Sequence, residues 1–173
     1  MYARPTSTGR LTQPPVEHWV ERHSETSTPF AEEDAARLAS LYWRAARRGV
    51  FGLVRSAGPA LGPVALRAFW AGGPVLIRMG AAVVAIDDER VDVSFPILDG
   101  VVVGAAGGYL RLAAERTAGV QRLGVRVEDY TPRLYGARRI LPRLAAVPYG
   151  LAQSRVHDRV TTVYLRTLER YWR

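Results

Sequence analysis

The spacing of apolar and polar residues divides the chain into two kinds of segment. Apolar residues recur at helical spacing in residues 28–48 and 151–173, and at every second position in parts of 75–130. Helical spacing places apolar side chains on one face of a helix, whereas alternation places them on one face of a strand. The pattern therefore predicts an α+β fold in which an antiparallel sheet lies between two helices in the chain order.

The first helix is predicted over residues 28–48. Thr28 suits the N-cap and Pro29 the first helical position, while Gly49 follows the last apolar residue. Acidic residues fill the first turns and arginines the last turn, an order that complements the helix dipole. The apolar stripe of this helix consists of Leu38, Leu41, Tyr42 and Ala45.

Strict alternation marks the sheet most clearly in residues 91–97 and 123–127. Short turns rich in Asp and Gly separate the alternating runs, and such turns are too short for helical crossovers. We therefore expect a curved antiparallel meander of five to six strands from Val75 to Tyr130. Its apolar face needs a cover, which the long C-terminal amphipathic helix and the earlier helix supply.

Two further segments complete the predicted organisation. Residues 1–27 are rich in Thr, Ser, Pro and Gln, which predicts a mobile leader with a short helical turn near 16–22. Residues 28–173 are then one domain, since the length suits a single core. Residues 50–73 are ambiguous: their first part suits a strand or a helical turn, and Val64–Trp70 predicts a short helix between Gly and Pro breaks.

The net charge of +8 is concentrated near the C-terminus. Residues 1–132 carry 15 Arg against 14 acidic residues, whereas the remaining 41 residues carry nine Arg against two acidic residues. At about 100° per residue, five arginines of the last helix fall within roughly 60° of one another. This arginine stripe, which predicts a surface for an anionic partner, consists of Arg155, Arg159, Arg166, Arg170 and Arg173.

Composition excludes several classes of chemistry. The chain has neither Cys nor Lys, which excludes disulfides, thiol catalysis and Schiff-base lysines. Residues 1–15 lack the apolar run of a secretory signal, and no stretch reaches the roughly 18 apolar residues of a membrane span. We therefore expect a cytoplasmic protein, with a membrane-peripheral location as the alternative. Nucleic acid is not an expected partner, because no binding signature accompanies the basic residues.

A ligand-binding cavity between the sheet and the terminal helix is our first functional hypothesis. A curved sheet closed by a helix commonly encloses an apolar cavity. This layout resembles that of START-type lipid-binding and cyclase-like domains, a likeness that implies a cavity but rests on layout alone. We expect non-enzymatic binding of a lipid-like, hydrophobic or amphiphilic anion, contacted by Phe95, Arg155, His157, Arg159 and Tyr164.

Docking to an anionic membrane or an acidic protein is the second hypothesis. Arg166, Arg170 and Arg173 are its expected anion contacts, and Tyr171 and Trp172 suit a headgroup boundary. A homodimer also stays open, because the sheet can leave an exposed edge.

An enzyme that uses His157 with Glu128 or Asp129 is the third hypothesis, so the sequence leaves open whether the protein is an enzyme. His18, His23 and His157 are the available imidazole ligands, but no carboxylate supports them at metal-binding spacing. We therefore expect neither a metal ion nor a cofactor.

Overall fold

A curled antiparallel sheet, gripped by two helices, forms the α+β fold of the protein. The computed structural model describes residues 4–5, 11–12, 16–23, 28–68, 73–132 and 149–171. The helices are α1 (Glu32–Gly49) and α2 (Tyr149–Tyr171). The strands are β1 (Arg4–Pro5), β2 (Leu11–Thr12), β3 (Val16–His23), β4 (Val54–Ala57), β5 (Val64–Ala68), β6 (Val75–Met79), β7 (Val83–Ile86), β8 (Arg90–Asp99), β9 (Val103–Ala105), β10 (Tyr109–Thr117), β11 (Val120–Glu128) and β12 (Thr131–Pro132).

Eight strands form the main sheet, which confirms the predicted class but exceeds the predicted strand number. Their order is β3-β11-β10-β8-β6-β5-β4, with β7 paired to β8 beside this path. Two small two-stranded sheets pair β1 with β2 and β9 with β12. The additional strands of the main sheet are β3, β4 and β5, which lie outside the meander predicted for Val75–Tyr130.

Two helical predictions are wrong because pairing with other strands decides the structure of these segments. The expected turn near residues 16–22 is instead strand β3, which pairs along its whole length with β11, so residues 16–23 of the predicted leader belong to the sheet. The expected helix at Val64–Trp70 is strand β5 over Val64–Ala68, paired with β4 and β6. An isolated helix of about seven residues or fewer is unstable. Each segment therefore forms a strand, because its backbone N–H and C=O groups then bond to neighbouring strands.

Alternation along the strands separates a buried concave face from a charged outer face. Val91, Val93 and Phe95 of β8 are buried on the concave side, as the sequence pattern predicted. On the outer side, cross-strand ion pairs join Arg111 to Glu128 at 3.3 Å and Arg122 to Glu21 at 3.0 Å. These arginines therefore have acidic partners within the sheet itself.

Helix α1 begins at Glu32, three residues after Pro29, its predicted first helical position. Its N-cap is Ala31, whose N–H donates to Asp34 Oδ2 at 3.0 Å, so a carboxylate in the first turn stabilises the helix start. Just before the helix, Phe30 is buried and the guanidinium of Arg116 lies 3.9 Å from its ring centroid. This contact anchors the N-terminal end of α1 to strand β10.

The two helices pack against each other in antiparallel directions. The rings of Tyr42 and Tyr164 meet edge to face at 5.2 Å, and a Cβ on Gly49 would lie 2.8 Å from Val160 Cα. Later residues of α1 therefore meet earlier residues of α2, and Gly49 permits the close approach. Within the described ranges, no helix is long and apolar enough to cross a membrane.

Candidate functional site

A cavity of about 360 Å³ lies between the concave face of the sheet and the two helices. It sits beside the C-terminal half of α1 and the N-terminal half of α2. Its described wall is predominantly aliphatic and is formed by Tyr42, Ala46, Val50, Val54, Leu66, Leu76, Ile77, Met79, Ile97, Val102, Leu110, Val127, Tyr130, Val156, His157 and Val160. The cavity therefore offers a largely hydrocarbon interior.

Large side chains fill the core, whereas smaller side chains on α1 leave the cavity empty. Among core residues that do not line the cavity, the rings of Trp43 and Phe95 pack edge to face at 5.0 Å, and Leu168 is fully buried. On the cavity side, α1 contributes the smaller Ala46 and Val50. Small side chains at these positions leave space that aromatic residues fill elsewhere.

The cavity opens beside α2. Val156 lines the cavity and is 47% exposed, so the cavity reaches the surface there. Phe51 follows the lining residue Val50, is 74% exposed, and carries the guanidinium of Arg159 at 4.0 Å from its ring centroid. We call Phe51, Val156 and Arg159 the rim. It combines exposed apolar area with a positive charge.

Three side chains bring polar atoms to the described wall: Tyr42, Tyr130 and His157. The hydroxyl of Tyr130 donates to the carbonyl oxygen of Val102 at 2.8 Å. Burial raises the pKa of Tyr42, so this side chain stays a neutral phenol. Tyr42 and Tyr130 therefore present uncharged groups to the cavity.

His157 connects the cavity to the edge strand β3. Its ring centroid lies 6.0 Å from that of His18, and His18 Nε2 lies 3.7 Å from Asp158 Oδ1. Burial lowers the pKa of His157, and the neighbouring His18 lowers it further, while Asp158 acts in the opposite direction. The folded protein therefore favours the neutral form of the His157 imidazole.

Acidification is expected to destabilise the protein through His157. When the pKa of a histidine is lower in the folded than in the unfolded state, the protein is not destabilised at pH values above the unfolded pKa of about 6.5. The free energy of unfolding then decreases as the pH falls from about 6.5 toward the folded pKa. Urea unfolding at pH 7.5 and 5.0 measures this effect. The loss of unfolding free energy is expected to be smaller in His157→Gln than in the wild type. An equal loss in both proteins would exclude His157 as the cause, and the exposed His23→Gln variant is the matched control.

The residues predicted to contact a ligand occupy three different environments. His157 lines the cavity and Arg159 lies at its rim. Phe95 and Tyr164 are both fully buried in the core and are not among the described lining residues. The side chain of Arg155 lies outside the described residues, so ligand contact by Arg155 stays a prediction.

The arginine stripe is exposed wherever its side chains are described. Arg159, Arg166 and Arg170 are exposed on α2, whereas Arg173 and Trp172 lie outside the described residues. On the opposite face of α2, Val160, Tyr164 and Leu168 are 6%, 0% and 0% exposed. The apolar face of the helix is therefore occupied by the protein's own core.

The predicted pairing of His157 with Glu128 or Asp129 is wrong. Glu128 points to the outer face of the sheet and forms ion pairs with Arg111 and Arg126, while its neighbour Val127 lines the cavity. Asp129 is exposed in a turn with φ of 50°. Alternation along β11 directs the carboxylate away from the histidine.

A three-histidine arrangement does not form among these residues. His18 approaches His157, but His23 lies five residues further along β3, which places it on the opposite face of the strand. Among the described side chains, no group of three or more His, Asp or Glu residues has the spacing to hold a metal ion.

Sequence reasoning missed most of the cavity wall. The apolar pattern places Tyr42 in the stripe of α1 and predicts no site role for Leu66, Ile77 or Tyr130, yet all four line the cavity. No local signal distinguishes such residues from ordinary core residues, because both classes are apolar and alternate in the same way. The contact between His18 and His157 likewise needed the pairing of β3 with β11.

Comparison with known proteins finds likeness in shape only. No protein-family model and no curated protein sequence matches the chain. A START superfamily protein from Mycobacterium smegmatis is similar at 12% identity with a TM-score of 0.46, over 90% of this chain and 97% of that one. A hypothetical protein from Helicobacter pylori is similar at 9% identity with a TM-score of 0.46, over 87% and 88% of the two chains.

Norcoclaurine synthase from Thalictrum flavum is similar at 12% identity with a TM-score of 0.35, over 87% of this chain and 88% of that one. At such low identities and with TM-scores below 0.5, these likenesses assign neither a family nor a function to the chain.

Proposed function

We propose that the protein binds a hydrophobic or amphiphilic small molecule in the cavity between sheet and helices, without transforming it. The observation that carries the proposal is the predominantly aliphatic wall around about 360 Å³. An apolar cavity of ~150 Å³ takes up benzene, so this volume suits a ligand of about two rings or a comparable alkyl chain. Burial of that hydrocarbon supplies the favourable free energy of binding.

A negatively charged head group on the ligand belongs at the rim in this proposal. Arg159 is exposed and stacked on Phe51, two residues after the lining residue His157. A carboxylate or phosphate there stays hydrated and meets a guanidinium that remains charged at any physiological pH. The apolar part of the same molecule then occupies the cavity.

The packing of α2 favours ligand binding in the cavity over insertion of this helix into a membrane surface. A helix that inserts into a membrane surface needs a free apolar face. Val160, Tyr164 and Leu168 are buried against the protein and are not available for insertion. Docking through the exposed arginines alone stays a separate prediction.

Native mass spectrometry of freshly purified protein, followed by solvent extraction, tests the proposal directly. A bound hydrophobic molecule, present as an added mass that disappears after extraction, supports it. When the purified protein carries no added mass, titration with 2-naphthol and with decanoate provides the second test. The absence of saturable binding of both compounds would contradict the proposal.

Reversal of the rim charge is expected to weaken the binding of decanoate about tenfold or more. In Arg159→Glu, a favourable pair of opposite charges becomes a repulsive pair near the carboxylate. Arg166→Glu is the matched control, since Arg166 is exposed on the same helix. Isothermal titration calorimetry measures both variants. Equal weakening in the two would indicate a general effect of net charge and not contact at the rim.

A further inference from the structure

The described polar groups of the cavity wall are all uncharged at neutral pH. Tyr42, Tyr130 and His157 carry them, and none of the described lining residues is Arg, Asp or Glu. A charged ligand group held among these residues would lose its hydration without gaining an opposite charge, which is strongly unfavourable. The interior therefore selects against a charged group more strongly than the rim does.

Of these three side chains, Tyr42 has a ring that is held by two aromatic contacts. Its ring meets those of Trp43 and Tyr164 edge to face, each at a centroid distance of 5.2 Å. The side chain is 7% exposed and still contributes to the cavity wall. Its position is therefore fixed before any ligand binds, which lowers the entropic cost of a hydrogen bond to the ligand.

The polar groups of Tyr130 and His157 differ in how strongly they are hydrogen-bonded within the protein. The hydroxyl proton of Tyr130 is donated to the carbonyl of Val102 at 2.8 Å. His157 Nε2 lies 3.5 Å from Thr161 Oγ1, which is too long for a strong hydrogen bond. Burial keeps His157 neutral by lowering its pKa, so its ring offers one donor and one acceptor.

We propose that the part of the ligand inside the cavity is uncharged and carries a hydroxyl, phenol or carbonyl group that bonds to Tyr42, with His157 as a second contact. This inference rests on the proposed binding function and specifies the class of ligand. A negative charge, where the ligand has one, stays at the rim with Arg159. The two ends of the cavity thus recognise different chemistry.

Three bicyclic probes of closely similar size separate these contributions: 2-naphthol, 2-methylnaphthalene and 2-naphthoate. They carry a neutral hydroxyl, an apolar methyl group and an anion on the same ring system. Fluorescence titration at pH 7.5 is expected to give closely similar affinities for 2-naphthol and 2-methylnaphthalene, because the hydrogen bond of the hydroxyl offsets its lost hydration and the greater hydrophobic burial of the methyl group. A preference of about tenfold or more for 2-methylnaphthalene would overturn the inference, because it would show that the hydroxyl has no hydrogen-bond partner in the cavity.

Two variants then assign the contacts. Tyr42→Phe is expected to lower 2-naphthol affinity about fivefold and to leave 2-methylnaphthalene unchanged, because only the hydroxyl is lost. Arg159→Glu is expected to weaken 2-naphthoate and leave 2-naphthol unchanged. Tyr164→Phe, which removes a hydroxyl behind the lining residues, is the matched control and is expected to bind all three probes like the wild type.

The outcomes distinguish the inference from the function on which it rests. Failure of all three probes and of decanoate to bind the wild type contradicts the cavity-binding function itself. Binding of the probes with no effect of Tyr42→Phe on 2-naphthol retains that function but overturns the role of Tyr42. A loss of 2-naphthoate affinity in Tyr42→Phe, with none in Arg159→Glu, overturns the separation of neutral interior and charged rim.

Discussion

Replacement of Ala46 by phenylalanine is expected to abolish ligand binding and to leave the protein folded. Ala46 is on α1, lines the cavity and is 6% exposed. A phenyl ring at this position enters the empty volume and occupies space that the ligand needs. Because the ring enters a void, the strain of about 1–3 kcal/mol that accompanies overpacking of a filled core is avoided.

The measurement is a titration of Ala46→Phe with 2-naphthol, together with thermal unfolding. We expect at least a hundredfold loss of affinity, which corresponds to about 2.7 kcal/mol, and an unfolding midpoint close to that of the wild type. Ala36→Phe is the matched control: Ala36 is ten residues earlier on the same helix, about 15 Å away, and does not belong to the described cavity wall. Wild-type affinity in Ala46→Phe would place the ligand outside this cavity.

Of the substitutions considered, truncation of Tyr164 to alanine is expected to give the largest loss of unfolding free energy. The loss comes from removal of the ring and not from removal of the hydroxyl. The side chain is fully buried and packs edge to face on Tyr42 at 5.2 Å. Truncation in Tyr164→Ala leaves a hole at the contact between the two helices and is expected to cost about 3–5 kcal/mol. For a chain of this length, the melting temperature then falls by on the order of 10 °C.

The conservative variant Tyr164→Phe is expected to retain or increase the free energy of unfolding. Among the described residues, the hydroxyl of Tyr164 has no hydrogen-bond partner. Tyr164→Phe removes a buried polar group without breaking a described bond, so its stability is expected to equal or exceed that of the wild type, by up to about 1 kcal/mol.

Urea unfolding of both Tyr164 variants measures the difference, with Tyr171→Ala as an exposed control on the same helix. A loss of several kcal/mol in Tyr164→Phe would show that the hydroxyl has a partner in the folded protein. A loss below about 1 kcal/mol in Tyr164→Ala would show that the contact between the helices contributes little.

Local patterns were sufficient for the elements whose burial follows their own sequence. Alternation in residues 91–97 predicted a strand whose odd-numbered residues face the core, and these residues are buried. The acidic start and basic end of α1 predicted a helix at nearly its observed position, with the N-cap displaced from Thr28 to Ala31. In both cases, the signal is contained within one element.

Local patterns failed where a segment takes its structure from pairing with other strands. Strand β3 pairs with β11 about 100 residues away, and β5 pairs with strands that flank Gly and Pro breaks. Neither segment has a strong periodicity of its own. The prediction of a leader for residues 1–27 overlooked this pairing, since the composition of a strand at a sheet edge resembles that of a polar connector.

Taken alone, the sequence determined the α+β class, the two helices, the central strands and the concentration of arginine on α2, because each depends on spacing or charge within one segment. Only the tertiary structure decided that His18 approaches His157, that Glu128 faces away from it, and that Ala46 and Tyr42 line a cavity while Phe95 lies in the core. The physical reason is that core and cavity walls use the same apolar residue types. Which of them leaves a void depends on how side chains from distant segments fill the space between sheet and helices.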